Sequence, residues 1–170
     1  MSYQENYQKW VDFAELPDYL RQDLENMDEK TKEDAFYTNL EFGTAGMRGL
    51  IGAGTNRINI YVVRQATEGL ARLIESKGGN EKERGVAIAY DSRHFSPEFA
   101  FESAAVLAKH GIKSYVFESL RPTPELSFQF VTSTVSQVSW SQPATTLLHL
   151  TVTRFTVKTV DKCLHTMRML

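Results

Sequence analysis

At 170 residues, with 42% hydrophobic and 24% charged residues, the chain has the make-up of one soluble globular domain, or of a piece of a larger one. A formal charge of -2 excludes the basic footprint of a nucleic-acid or anionic-membrane binder, and no apolar run approaches membrane-spanning length, so neither partner is expected. The single cysteine, Cys163, excludes an internal disulfide framework, and the opening Met-Ser-Tyr-Gln-Glu-Asn lacks the basic and apolar regions of a signal peptide, which makes the cytoplasm the expected compartment.

Residues 1–40 read as a helical lead. Pro17 suits the first turn of a helix through Met27 with Tyr19, Leu20 and Leu24 on one side, and Lys30 to Tyr37 predicts a further turn or two. A glycine-rich segment, Phe42-Gly43-Thr44-Ala45-Gly46-Met47-Arg48-Gly49, follows. Ile60, Val63, Ala66, Leu70, Leu73 and Ile74 then recur at helical spacing, with Gly78-Gly79 as the stop signal. Val86 to Tyr90 is a short apolar run suited to a buried strand. Ser96-Pro97-Glu98 supplies an N-cap, a first-turn proline and an acid ahead of Ala104, Ala105, Leu107 and Ala108, with Gly111 past the end. Lys113 to Phe117 predicts the next strand, and Thr123-Pro124-Glu125 the opening of another helix. Strand, helix, strand is a parallel βαβ unit with a right-handed crossover, and it argues for an α/β layered fold.

In open parallel sheets ligands gather beyond the carboxyl ends of the strands. Two loops occupy that place here: Asp91-Ser92-Arg93 after the first strand, and Leu120-Arg121-Pro122-Thr123-Pro124 after the second. An Asp after a strand also serves as a plain turn or cap residue, and Pro-Thr-Pro as plain turn geometry. The glycine-rich segment is more specific. Its glycines let backbone approach an anion, and Arg48 offers a planar fork for phosphate oxygens. No Gly-Lys-Ser/Thr follows, so it is not a P-loop, and its glycine spacing departs from Gly-x-Gly-x-x-Gly. The alternative is a glycine-rich turn between two hairpin strands with Arg48 solvated.

Taken in order, Glu41 to Gly49, Val63-Arg64-Gln65-Ala66, Ala89-Tyr90-Asp91-Ser92-Arg93 and Arg121-Pro122-Thr123-Pro124-Glu125-Leu126-Ser127 resemble the first domain of the α-D-phosphohexomutases. The likeness is strongest to bacterial members of the phosphoglucomutase/phosphomannomutase group. It implies an incomplete α/β/α first domain with a mixed sheet over residues 41–128, preceded by the helical lead. It implies interconversion of glucose 1-phosphate and glucose 6-phosphate through a phosphoserine, with magnesium and glucose 1,6-bisphosphate as cofactors of the intact enzyme and a sugar phosphate as its partner. Thr44, Gly46 and Arg48 are then phosphate- or substrate-binding residues, and Asp91 and Arg93 belong to a loop beside them. The same resemblance implies a Thr-Ala-Ser-His-Asn-Pro segment carrying the phosphorylated serine, followed by an acidic metal loop, and this sequence holds neither. No catalytic residue, no metal ligand and no cofactor are therefore expected in the chain as written, and the parent's choice between glucose and mannose phosphates lies in absent parts.

Composition changes near Phe128. Residues 1–128 hold all 10 glycines and 20 of the 21 acids, whereas 129–170 hold no glycine, Asp161 as the sole acid, and nine threonines. A second domain so poor in turn formers would struggle to build a core. Reading the tail one base out of register resolves the change. Joining each codon's third base to the first two of the next, Trp140-Ser141 permits Val, and the pairs from Ser141-Gln142 to Thr146-Leu147 permit Thr, Ala, Ser, His, Asn and Pro in turn. Continuing to His165 permits A-P-F-N-G-Y-K-V-Y-G-E-D-G-G-Q-M-P-P-H, which restores the missing glycines. Loss of the first base of a GCA codon after Phe128 likewise converts Ala-Val-Arg into Gln129-Phe130-Val131.

Residues 129–170 are thus expected to be a frameshifted tail without native counterpart. Its β-prone run from Leu150 to Val160 is not assigned as strand, and His149, Cys163 and His165 match no standard metal-ligand spacing. Without the strands normally encoded beyond Phe128, Val86 to Ala89 or Ile112 to Phe117 would be left as an open apolar edge, with chaperone binding or aggregation as the outcome. Three functions fit: a fragment of the mutase, a non-catalytic phosphate or sugar-phosphate binding module, and a non-functional frameshift product. Resequencing the gene around codon 129 checks the tail: restoring one base is expected to open a frame through Thr-Ala-Ser-His-Asn-Pro, and a gene in which no single base does so refutes the reading.

Overall fold

The computed structural model describes residues 2–41, 47–119, 137–142, 150–157 and 167–169. The chain forms two compact units, Met1–Val62 with Ala144–Val152, and Val63–Pro143 with Thr153–Leu170.

The first unit opens on three short helices, α1 Tyr3–Val11, α2 Asp18–Glu25 and α3 Glu29–Phe36. The start of α1 is fixed by a capping box: the Ser2 hydroxyl accepts from Glu5 N, and the Glu5 carboxylate accepts from Ser2 N, both at 3.3 Å. Pro17 stands at the N-cap of α2, just ahead of the first turn, and Asp28 caps α3 by accepting from Thr31 N at 2.8 Å. Hydrogen bonding from the Thr31 side chain and then from its amide holds the Asp28 carboxyl below its ordinary pKa.

Leu16, Leu20, Leu24, Ala35, Phe36 and Ala53 form the core of this unit. Aromatic rings seal it edge-on: Tyr7 and Trp10 stand at 86° and 75° to the Phe36 ring, with centroids 5.5 and 5.8 Å away. Strand β1 Met47–Leu50 follows the lead.

In the second unit, β2 Val86–Tyr90 is buried at every residue. It runs parallel to β3 Ser114–Phe117, with Val86 opposite Ser114, and the crossover between them is helix α6 Ser96–Lys109. The βαβ unit read from the sequence is present. On its other edge β2 pairs in parallel with β4 Gln137–Gln142, from Val86 opposite Gln137 to Tyr90 opposite Ser141. β3 pairs antiparallel with β6 Met167–Met169, so the sheet is mixed, as expected. Neither β2 nor β3 is an open edge, contrary to the expectation from sequence, and the run not assigned as strand carries β5 Leu150–Val157. Residues 129–170 thus supply three strands among the described residues. The physical reason is that main-chain hydrogen bonding is indifferent to side chains, so a Thr/Val/Ser-rich segment satisfies an exposed ladder wherever one is offered.

Helix α4 Ile60–Lys77 and α6 share a core with the sheet: Leu70, Ala71, Ile74, Val86, Ile88, Ala100, Ala104, Leu107, Ile112 and Val116 are buried together. The buried stripe of α4 is shifted from its expected apolar spacing, with Val62 and Ala71 also buried. Val63, Leu70 and Ile74 are buried, but Leu73 is 44% exposed, and Thr67 takes a buried place instead. The Thr67 hydroxyl donates to Val63 O and the Ser103 hydroxyl to Phe99 O, each at 2.8 Å, and the two hydroxyl oxygens lie 3.2 Å apart. Backbone acceptors within each helix thus make buried hydroxyls tolerable at the α4–α6 contact.

The short helix α5 Glu81–Arg84 ends on Gly85, at φ 75° and ψ -169°, a conformation reserved for glycine. A Cβ there would also collide with the Lys113 carbonyl oxygen, which accepts the first amide of β2, Val86 N, at 2.8 Å. Gly78 provides the contrast: its φ is 65°, but a Cβ added to it would meet nothing within 4 Å. Gly78→Ala is expected to lower stability by about 1 kcal/mol, the left-handed cost alone. Gly85→Ala should cost about 2–4 kcal/mol, because strain and collision add. Urea titrations of the two variants give the comparison, and equal losses would refute the assigned collision.

Candidate functional site

The site residues fall on two separate pieces of chain. In the first unit, β1 carries Arg48 beside buried Met47, and the alternation of a strand turns the guanidinium outward, where it is exposed. Thr44 and Gly46 lie outside the described residues, as do Leu120 to Pro124, the helix expected from Thr123, and His149, Cys163 and His165.

The segment after β1 is held firmly. Ile58 N donates to Leu50 O at 2.8 Å, and Asp23 accepts from Ala53 N at 2.6 Å. The fully buried Asn59 donates to the carbonyls of Gly52 and Gly54, both at 2.9 Å, and accepts from Val62 N at 3.1 Å. One side chain therefore closes the loop and satisfies an orphan amide in the first turn of α4. The buried Arg57 adds an ion pair to Asp34 at 2.6 Å. Arg48 stands on a strand whose continuation is anchored at several points, which suits a residue that must present a fork at fixed geometry.

In the second unit, Asp91 and Arg93 follow the carboxyl end of β2. The Asp91 carboxylate accepts from Arg93 N at 3.2 Å, closing an Asx-type turn, and lies 3.7 Å from Arg93 Nε. Asp91 N donates to the Ser96 hydroxyl at 3.3 Å. The structure brings Asp91 and Arg93 together as one turn at the end of a parallel strand, and the turn-forming role of the Asp is realised.

Ser96 is not the N-cap of α6 that its sequence suggests. Phe95 takes that place in a left-handed conformation at φ 63°, the sole non-glycine residue with positive φ among those described. Its ring stacks on Phe99 at 6.0 Å, and Ser96 becomes the first helical residue, its hydroxyl committed to Asp91 N. Nothing in the sequence marks Phe95, since a bulky aromatic is an unusual occupant of that backbone region. The result aims the N-terminus of a 14-residue helix at the side of the sheet where the Asp91–Arg93 turn lies, an arrangement that favours anions.

No group of three His, Cys, Asp or Glu that could hold a metal occurs among the described residues, and no helix among them is long and apolar enough to cross a membrane. A cavity of about 260 Å³ in the first unit is lined by Lys9, Trp10, Phe13, Leu16 and Tyr61, none of which the sequence singles out.

Residues 39–138 match the family model described as phosphoglucomutase/phosphomannomutase, alpha/beta/alpha domain I. The match continues past Phe128 and ends within β4. A phosphoglucomutase of Staphylococcus epidermidis is 39% identical over 120 residues, covering 70% of this chain and 21% of that protein. One from a bovine strain of Staphylococcus aureus is 42% identical over 97 residues, covering 57% and 17%. A solved phosphoglucomutase/phosphomannomutase family protein from Burkholderia thailandensis superposes with a TM-score of 0.55 at 18% identity, over 67% of this chain and 25% of that one, a likeness of fold. The chain spans about a fifth of the length of the curated relatives it matches. With a family model matched over more than half its residues, this chain belongs to the phosphoglucomutase/phosphomannomutase family.

Proposed function

We propose that the chain derives from a cytoplasmic phosphoglucomutase that interconverts glucose 1-phosphate and glucose 6-phosphate through a phosphoserine, and that as written it does not catalyse the reaction. The observation that carries the first half is the glycine-rich segment with Arg48 inside a family match of residues 39–138. What supports the second half is the sequence itself: no Thr-Ala-Ser-His-Asn-Pro is present, and the tail yields that segment when read one base out of register.

In the intact enzyme Arg48 would hold phosphate oxygens through its fork while Thr44 and Gly46 offer backbone or hydroxyl donors. A phosphoryl group passes through a transition state whose charge must be held in place, so alignment matters as much as attraction. Magnesium would stabilise that charge in the parent. The described residues contain no cluster that fits it, and no step of this chain's chemistry runs through it. Glucose 1,6-bisphosphate belongs to the intact cycle and has no reacting serine to meet in this chain. The second reading, a sugar-phosphate binding module, draws on Arg48, which is exposed and without an ion-pair partner among the described residues. Calorimetry with glucose 1,6-bisphosphate distinguishes it: heat of binding abolished in Arg48→Ala supports the module, and no heat supports an inert product.

Two outcomes are expected of the main reading. Purified chain incubated with glucose 1-phosphate and glucose 1,6-bisphosphate shows no turnover above a mock preparation and no phosphoserine by mass spectrometry, and either signal would refute it. In the frame-restored, full-length enzyme, Arg48→Lys lowers kcat/KM by about tenfold or more although charge is kept, because a point charge on a flexible stem aligns phosphate poorly. An unchanged kcat/KM would remove Arg48 from its anchoring role.

A further inference from the structure

The turn that joins α6 to β3 carries a histidine with a carboxylate on each ring nitrogen. His110, the C-cap of α6, has Nε2 2.8 Å from a Glu68 oxygen and Nδ1 3.2 Å from a Glu75 oxygen. Both glutamates lie on α4, two helical turns apart and therefore on one face. Arg72 of the same helix pairs with Glu68 at 2.9 Å. Lys82 of α5 pairs with Glu75 at 2.9 Å and donates to the His110 carbonyl at 3.0 Å. These are the charged groups facing the ring from α4 and α5; Lys113, beyond the turn, is paired with Glu83. The carboxylates sit on opposite ring nitrogens, so the three residues do not converge on one metal ion.

An imidazole between two acceptors is satisfied only with a proton on each nitrogen, which is its cationic form. Loss of one proton leaves a ring lone pair facing a carboxylate oxygen. Ile112 and Val116, both buried in the second unit's core, follow at once in the chain, so whatever holds His110 also holds the segment that delivers β3 to the sheet. We propose that Glu68, His110 and Glu75 form a pH-operated latch, which fastens the α6–β3 turn to α4 while the ring is cationic and releases it when the ring is neutral.

Hydrogen bonds to Glu68 and then Glu75 raise the pKa of His110 above its ordinary 6.5. The latch's contribution from the ring is accordingly complete below about 6.5 and is lost as pH rises through the raised value. Hydrogen bonds from His110 and Arg72 lower Glu68 below 4.5, and those from Lys82 and His110 lower Glu75 likewise. Their contribution is present above 4.5 and is lost as pH falls through the lowered values. The latch is therefore closed in mildly acid solution and opens to either side. It stands independently of the mutase reading.

The test pairs imidazole NMR titration of the full chain, His110 being assigned by its absence in His110→Gln, with urea midpoints from about pH 6 to about pH 9. His110 is expected to titrate above 6.5 and to move back toward that value in Glu68→Gln and in Glu75→Gln. The urea midpoint should fall with rising pH in the unaltered chain and lose that fall in His110→Gln. Linkage demands that each tenfold gain in the ring's proton affinity appear as a tenfold change in the unfolding constant across the titration, so the two readings must agree. A ring titrating at or below 6.5, or the same pH slope with and without His110, overturns the latch. Should His110→Gln fail to fold, the ring is identified as the one whose titration moves in both Glu68→Gln and Glu75→Gln, and the absence of any such ring overturns the latch.

Discussion

A strand buried at every residue imposes conditions on everything around it, and β2 is that strand. Val86 to Tyr90 place apolar side chains on both faces, so both must be covered, and their amides and carbonyls on both edges must be paired. One face is met by α4 and α6 residues such as Leu70, Ile74, Ala104 and Leu107, which share a core with Val86 and Ile88. The edges are met by β3 and β4. Chain direction then follows: parallel pairing needs a crossover, the crossover is α6, and the loop entering it lies at the carboxyl end of β2. The Asp91–Arg93 turn is where it is because β2 is parallel to its neighbours.

The parts of this arrangement that depend on periodicity are legible in the sequence. The apolar run of β2, the strand of β3 and the spacing of α4 and α6 each predict the element that forms, because burial on one or both faces writes itself into residue type. Boundaries set by a single backbone or side-chain choice are less legible. Ser2 and Glu5 carry a capping-box signal for α1, although the apolar pattern of the lead points to helix only from Pro17 onward. Ser96 has the chemistry of an N-cap and loses the position to Phe95, since its hydroxyl is taken by Asp91 N. Leu73 keeps its helical phase yet falls on the open flank of α4, while Thr67 enters the core because a helix carbonyl satisfies its hydroxyl. Of the candidate site, residue type points to Arg48 and to the Asp91–Arg93 turn. The hydrogen bonds of Asn59 and Asp23 that hold the backbone after β1 link positions too distant in sequence for spacing to reveal.

The tail shows how little a strand slot asks of its occupant. β4 lies beside β2 in register from Gln137 to Ser141 although the composition of 129–170 differs sharply from what precedes it. Main-chain pairing supplies the ladder, and Val, Ser, Thr and Trp are acceptable strand residues in almost any order. Catalysis is less forgiving, since it requires one named side chain at one place. On the proposed frameshift, the architecture of the sheet and the chemistry of the family part company at this segment.

Phe95 bears on how the loop before α6 can drift during evolution. Its left-handed backbone costs a non-glycine residue about 1–2 kcal/mol. Replacement by glycine would remove that cost, but would also add about 0.5–1 kcal/mol of unfolded-chain entropy. It would forfeit the stack on Phe99 as well, worth about 0.5–1.5 kcal/mol beyond simple burial. The backbone, entropy and stacking terms nearly cancel between phenylalanine and glycine, so the apolar area of the half-buried Phe95 ring tips the balance toward the aromatic. A preference for an aromatic at 95 across relatives would therefore be a record of the packing at the entry to α6, written at a position whose backbone alone would favour glycine.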